Sequence, residues 1–185
     1  WVLSQISTVF VFLIIVNSIN FIDGTDGLAI TQVIKTILYI ELFSSNVTEL
    51  ASLGTLFIIL ILPMYYFNFK NKEKVFLGDG GSLLLGSLIA IYVFYLLGSN
   101  YTFKENFEIN KTLFSVMVVF YPLVDLLRIF SIRIKNRKSP FVADQNHLHH
   151  FIKKRFGLNH FGVLISITLS EILIFISFLL VYTNF

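Results

Sequence analysis

The sequence predicts an all-α integral membrane protein of about six transmembrane helices in a single polytopic domain, 1–185, with its active site on the cytoplasmic loops. Three observations carry this reading. Hydrophobic residues make up 56% of the 185-residue chain, with 21 Phe, and the mean hydropathy is +0.80. Only 14% of residues are charged, against about 25% in soluble domains. Six apolar segments, at about 3–21, 27–44, 50–68, 82–98, 112–130 and 161–182, reach the roughly 17–25 residues that a bilayer requires. The absence of Cys excludes disulfides and thiolate metal sites. No basic stretch leads into a small-residue cleavage site, so no signal peptide is expected.

The first segment ends in Asn17-Ser-Ile-Asn20-Phe-Ile-Asp23-Gly-Thr-Asp26-Gly-Leu-Ala29. Carboxylates set against a bilayer are costly and mark a functional site by default. Asp23 and Asp26 are three residues apart and share one face if the turn winds into the second helix. Such a pair can share a proton, bind a divalent ion or accept hydrogen bonds from a nucleotide. The plainer alternative makes Asp26 an N-cap of the second helix. Lys35, one to two turns into that helix, is expected to snorkel to the membrane edge.

The third segment ends before Lys70, Lys72 and Lys74, and a second acidic motif follows, Phe76-Leu-Gly-Asp79-Gly-Gly-Ser82. This Gly-rich turn leads into the fourth helix. A helix N-terminus is a ready anion site, and a carboxylate there is a hard ligand suited to Mg²⁺ beside substrate phosphates. In the fifth segment, Asp125 is expected to pair with Arg128 at i, i+3. The long connection 131–160 holds Ser139-Pro-Phe-Val-Ala-Asp144-Gln-Asn146-His147-Leu-His149-His150. Three of the four His of the chain lie there, among Arg and Lys side chains. Imidazoles at that density suit phosphate contact or acid–base work, while a solvated basic loop at anionic headgroups is the plainer alternative. Glu171, midway along the sixth segment, has no assigned partner.

Eleven of the 14 Lys and Arg residues fall on the connections that follow the odd-numbered segments or, for Arg128, at the end of the segment leading into one. The positive-inside rule therefore places those connections in the cytoplasm. All five Asp share that side, whereas Glu41, Glu49, Glu105 and Glu108 lie towards the other.

In this order and spacing, the three motifs resemble the polyprenyl-phosphate N-acetylhexosamine-1-phosphate transferases of glycosyltransferase family 4. Pro122-Leu-Val-Asp125 also fits, and the resemblance runs from about residue 10 to residue 165. It implies transfer of a sugar-1-phosphate from a UDP-sugar donor to undecaprenyl phosphate, with release of UMP and a need for Mg²⁺ or Mn²⁺. It implies Asp79 as the metal ligand and Asp23, Asp26, His147, His149 and His150 as catalytic groups. Asn17, Asn20, Asn68, Phe76 and Asn146 become substrate-binding, with Phe76 stacking on uracil. The expected setting is the bacterial inner membrane, with the lipid bilayer, no nucleic acid and a homodimer as partners. The Asn-His-Leu-His-His form resembles the UDP-GlcNAc-using types more than the phospho-MurNAc-pentapeptide translocase, which is the alternative along with an inactive half-protein. The acidic pair that the family carries upstream is absent, and the chain opens on Trp1. Both features suggest the C-terminal part of a longer transferase domain.

Overall fold

A computed structural model describes residues 1–70, 73–105, 107, 109–139 and 146–183, Thr183 by its backbone alone. Among these residues it forms eight helices: α1 (Val2–Ile22), α2 (Leu28–Phe43), α3 (Ala51–Phe69), α4 (Gly78–Leu97), α5 (Lys111–Val118), α6 (Phe120–Lys135), α7 (Leu148–Phe156) and α8 (His160–Thr183). Pro140, Phe141 and Asp144 of the histidine motif lie outside the described residues, as do Lys72 and Glu108.

Four helices, α1, α3, α4 and α8, are long and apolar enough to cross a membrane, and a fifth span results if α5 and α6 count as one. The chain is thus an all-α multi-pass membrane protein. Two of the six expected spans differ from expectation. The second, α2, has only 16 residues, about 24 Å of helix at 1.5 Å per residue. The fifth is not one straight helix: α5 and α6 meet at Val119 with a bend of 75°. Pro122 explains the break. It has no N–H to offer the carbonyl of Val118, and its ring clashes with that carbonyl, so it is tolerated only in the first turn of a new helix.

The chain runs back and forth between two rims. At one rim, Tyr101 donates to the Ile40 carbonyl at 2.8 Å and Tyr92 to that of Leu50 at 2.8 Å. Beside them Phe43, Phe103, Phe107, Phe114 and Phe175 form one aromatic cluster of edge-to-face and tilted pairs, with centroids 4.5–6.3 Å apart. Five of the 21 Phe residues thus line this rim. The other rim gathers the ends of α1, α3 and α6 and the starts of α2, α4 and α8. Between the rims, α1 and α4 lie in direct backbone contact, since a Cβ on Gly86 would fall 2.8 Å from the Val16 carbonyl oxygen.

Glu171 and Lys35 find each other inside the bundle. Lys35 does not snorkel. Its ammonium donates to Glu171 Oε1, and Gln32 Nε2 donates to Oε2 at 2.7 Å. All three side chains are buried, joining α2 to α8 within the apolar layer. Pairing is what makes such burial tolerable.

Candidate functional site

The acidic motif forms a tight turn between α1 and α2. Asp23 closes α1, its N–H bonded to the Asn20 carbonyl, and Leu28 N–H closes the turn onto Thr25. Gly27 has φ +73°, a conformation that a side chain would strain, and a Cβ there would meet the Tyr65 ring at 2.7 Å. Its N–H donates at 2.6 Å to Oδ1 of the buried Asn68, whose Nδ2 donates to the Val75 carbonyl at 2.9 Å. Asn68 thereby ties the end of α3 to both acidic motifs. Both ends of its amide are used in this tie, so contact with a nucleotide would have to compete with it.

The N-cap alternative for Asp26 does not hold, because Gly27 occupies that position without a side-chain cap bond. The Asp26 carboxylate instead pairs with Lys74 at 2.6 Å and with His160 Nδ1 at 3.3 Å. The Asp26 N–H donates to His160 Nδ1 at 3.3 Å, and Lys153 Nζ lies 2.6 Å from His160 Nε2. The result is a chain of polar contacts from α7 through His160 to the acidic turn. His160 stands outside the three motifs, and only its place at the start of the last apolar segment hinted at a role.

Asp79 sits in the first turn of α4, not in a loop before it. A carboxylate there complements the positive end of the helix dipole, and its side chain is exposed. Burial pushes the Asp23 carboxyl up to about 7, and the negative charges of Asp79 and Asp26 add to the rise. The three aspartates therefore lie within one another's field. Phe76, 66% exposed, stands beside this group with Lys74 Nζ 5.0 Å from its ring centre.

The histidines arrive from α7. His149 and His150 have ring centroids 4.3 Å apart, and His147 lies nearly parallel to His149 at 5.5 Å. Gly24 admits them, since a Cβ there would lie 2.8 Å from His149 Nε2. The acidic turn and the histidine cluster are thus in contact. His149 is 1% exposed, and neither of its ring nitrogens has a hydrogen-bond partner among the described residues. Burial, reinforced by His150, lowers it to about 3, so it is a neutral imidazole at physiological pH. Burial and the nearby His147 and Lys153 lower His150 as well.

The expected Asp125–Arg128 pair is loose at 3.8 Å. The Asp125 carboxylate is instead bonded to His147 Nδ1 at 2.8 Å. Twenty-two residues separate these partners, so no local spacing rule reveals them. Beyond the rings a cavity of about 750 Å³ is lined by Arg128, Asn146, His150, Phe151, Lys153 and Lys154. A second, of about 620 Å³, is lined by Asp26, Phe69, Lys74, Asn159, His160 and Phe161.

Of the substrate-binding expectations, Phe76 and Asn146 lie exposed at this rim. Asn20 is half-buried one turn before Asp23. Asn17 is exposed further back along α1, its amide bonded to the Leu13 carbonyl at 2.8 Å.

Among the described residues, no three His, Asp or Glu side chains are arranged to hold a metal ion between them. The donors that are present still fit a hard divalent cation. They are carboxylate oxygens, and Asp23 is held up to about 7 by burial and by the negative charges of Asp79 and Asp26. Mg²⁺ commonly needs only one or two carboxylates when substrate phosphates complete its shell.

That raised carboxyl has a consequence for stability. An acid held above its ordinary 3.8 binds its proton more tightly when folded than when unfolded. Its effect is absent below pH ~4 and becomes a full penalty above ~7, so stability falls as pH rises between them. His149, held below its ordinary value, acts in the opposite direction. The informative comparison is therefore with Asp23→Asn. In chelator, the Asn variant should gain thermal stability over wild type as pH rises from 5 to 8. Parallel melting curves across that range would remove the strain assigned to Asp23.

These features define a class: a multi-pass helical membrane protein whose charged and imidazole groups converge on one rim. The glycosyl transferase family 4 model matches residues 1–97, more than half of the chain, and the chain belongs to that family. It is 33% identical over 150 residues to a decaprenyl-phosphate N-acetylglucosaminephosphotransferase of Mycobacterium leprae, which covers 74% of this chain and 38% of that protein. It is 30% identical over 172 residues to an undecaprenyl-phosphate α-N-acetylglucosaminyl 1-phosphate transferase of Yersinia pestis, covering 90% and 45%. A probable undecaprenyl-phosphate N-acetylglucosaminyl 1-phosphate transferase of Bacillus subtilis is 30% identical over 148 residues, covering 79% and 39%. The chain thus spans 38–45% of the length of these relatives. No solved structure matches it significantly.

Proposed function

We propose that this chain forms the nucleotide- and phosphate-binding rim of a polyprenyl-phosphate N-acetylhexosamine-1-phosphate transferase. The donor is UDP-GlcNAc or a related UDP-HexNAc, and the acceptor is undecaprenyl phosphate. The reaction is an early membrane step of surface polysaccharide synthesis at the inner membrane, with the basic rim in the cytoplasm. The observation that carries this reading is the contact between the acidic turn and the histidine cluster at Gly24 and His149. That contact sets a cation-seeking face against an anion-seeking one, as two anionic substrates require.

In the reaction an oxygen of the acceptor phosphate attacks the β-phosphorus of the donor. The bond from that phosphorus to the oxygen bridging to the α-phosphate breaks, and UMP leaves. Asp79, with Asp23 beside it, would hold the Mg²⁺ or Mn²⁺, which when bound neutralises developing charge on the phosphoryl oxygens. Phe76 offers an exposed face for the uracil base. Arg128, Lys153, Lys154 and His150 draw phosphate into the larger cavity. His147 and neutral His149 face the substrate phosphates beside the acidic turn, His149 as a hydrogen-bond donor. Lys74 and His160 hold Asp26 in place.

The test is UMP release by the complete gene product in membranes, with undecaprenyl phosphate, a panel of UDP-sugars and titrated Mg²⁺. Mg²⁺-dependent release from UDP-GlcNAc or another UDP-HexNAc is expected. Release from none of the panel would overturn the reading, and selective release from UDP-MurNAc-pentapeptide would move the chain to the translocase branch.

A further inference from the structure

We infer that Asp125 is a positioning residue that sets the ring orientation and tautomer of His147. The inference rests on the proposed role of His147 at the substrate phosphates. Asp125 is 0% exposed on the inner face of α6. One carboxylate oxygen accepts from His147 Nδ1 at 2.8 Å, and the other accepts from the Leu148 N–H at 2.7 Å. The N-cap residue of α7 is His147 itself, which makes no side-chain cap bond. A carboxylate from α6 therefore does the work of the missing cap. One turn further along α6, Arg128 donates to the Asn146 carbonyl at 2.6 Å. Asp125 and Arg128 thus grip residues 146, 147 and 148 in succession and present the ring between them.

The grip is chemically directional. A carboxylate accepts, so the ring proton sits on Nδ1 and Nε2 keeps its lone pair. The ring plane is held from its sides by Phe21, at 5.7 Å, and by the nearly parallel His149. In that tautomer Nε2 can take a proton from a protonated acceptor phosphate and does not donate to a phosphate oxygen. A cap alone would need only the Leu148 bond. The second oxygen, aimed at the imidazole, is what a positioning role requires.

The experiment uses the complete gene product with Asp125→Asn. The carboxamide keeps the volume and can still accept from Leu148, but it then presents N–H to His147 Nδ1 and drives the ring to the opposite tautomer. The kcat for UMP release should fall on the order of 10²-fold or more, the scale of acid–base contributions, with KM for the nucleotide sugar little changed. In protein labelled with ¹⁵N-histidine, the His147 signals, identified by their loss in His147→Gln, should show the Nδ1–H tautomer in wild type and Nε2–H in the variant. A folded Asp125→Asn variant with wild-type kcat would overturn the inference. So would an Nε2–H tautomer in wild type, a measurement that decides the matter alone if the variant fails to fold. Wild type showing the Nδ1–H ring but releasing no UMP would sink the transferase reading and leave the orientation by Asp125 standing.

Discussion

Asp79→Ala in the complete gene product is expected to lower UMP release at least ~10³-fold, without rescue by excess Mg²⁺. That factor corresponds to about 4 kcal/mol, within the several kcal/mol that a bound cation contributes to a phosphoryl transition state. Asp79 is the exposed member of the acidic group, and its removal leaves a half-buried Asp23 and an Asp26 already paired with Lys74. Neither can take over an open position at the start of α4. Undiminished release at limiting Mg²⁺ would take Asp79 out of metal binding.

The second large effect falls in the membrane interior. Glu171→Ala leaves the Lys35 ammonium buried beside Gln32 with no counter-charge. Breaking a buried pair from one side costs about 3–5 kcal/mol, which for a chain of this size lowers the melting temperature by on the order of 10 °C. The double variant Lys35→Met with Glu171→Met removes both charges and should recover most of that loss. Equal losses in the single and double variants would show that something other than the orphaned charge is responsible. Because α8 begins at His160, which bonds Asp26, loosening α8 from α2 should also weaken the rim.

What the sequence made legible follows from how local each feature is. The acidic turn, the Asp79 motif and the histidine motif are contiguous, and each kept its place on one rim because helices of near-bilayer length alternate direction. Pro122 carried the signal for the break at Val119, but the apolar run continues through it and hydropathy hides the bend. Helix α7 was hidden for the opposite reason: its residues are basic and imidazole-rich, and it forms by capping from Asp125 and ends at Gly157 in a left-handed conformation. The partners of Lys35 and His147 lie 136 and 22 residues away. Spacing rules reach only three or four residues along a helix, so Arg128 was the visible partner for Asp125 and the wrong principal one. Asp26 looked like a cap because an Asp before Gly-Leu-Ala usually is one; Lys74 and His160, from two other segments, took the carboxylate instead.

The shortness of α2 has a consequence for how a lipid would reach this rim. A helix of about 24 Å in a hydrocarbon layer near 30 Å is mismatched, and the bilayer responds by thinning around it or by letting its ends sink. The acidic turn at the head of α2, held level with the ends of α1 and α3 by Asp23 and Asn68, is then drawn towards the hydrocarbon layer. On the proposed reading, a polyprenyl phosphate diffusing in the leaflet meets the carboxylates at the depth where its own phosphate already rides. The acceptor can enter sideways, with its tail still dissolved among neighbouring lipids, while the nucleotide comes down from the water.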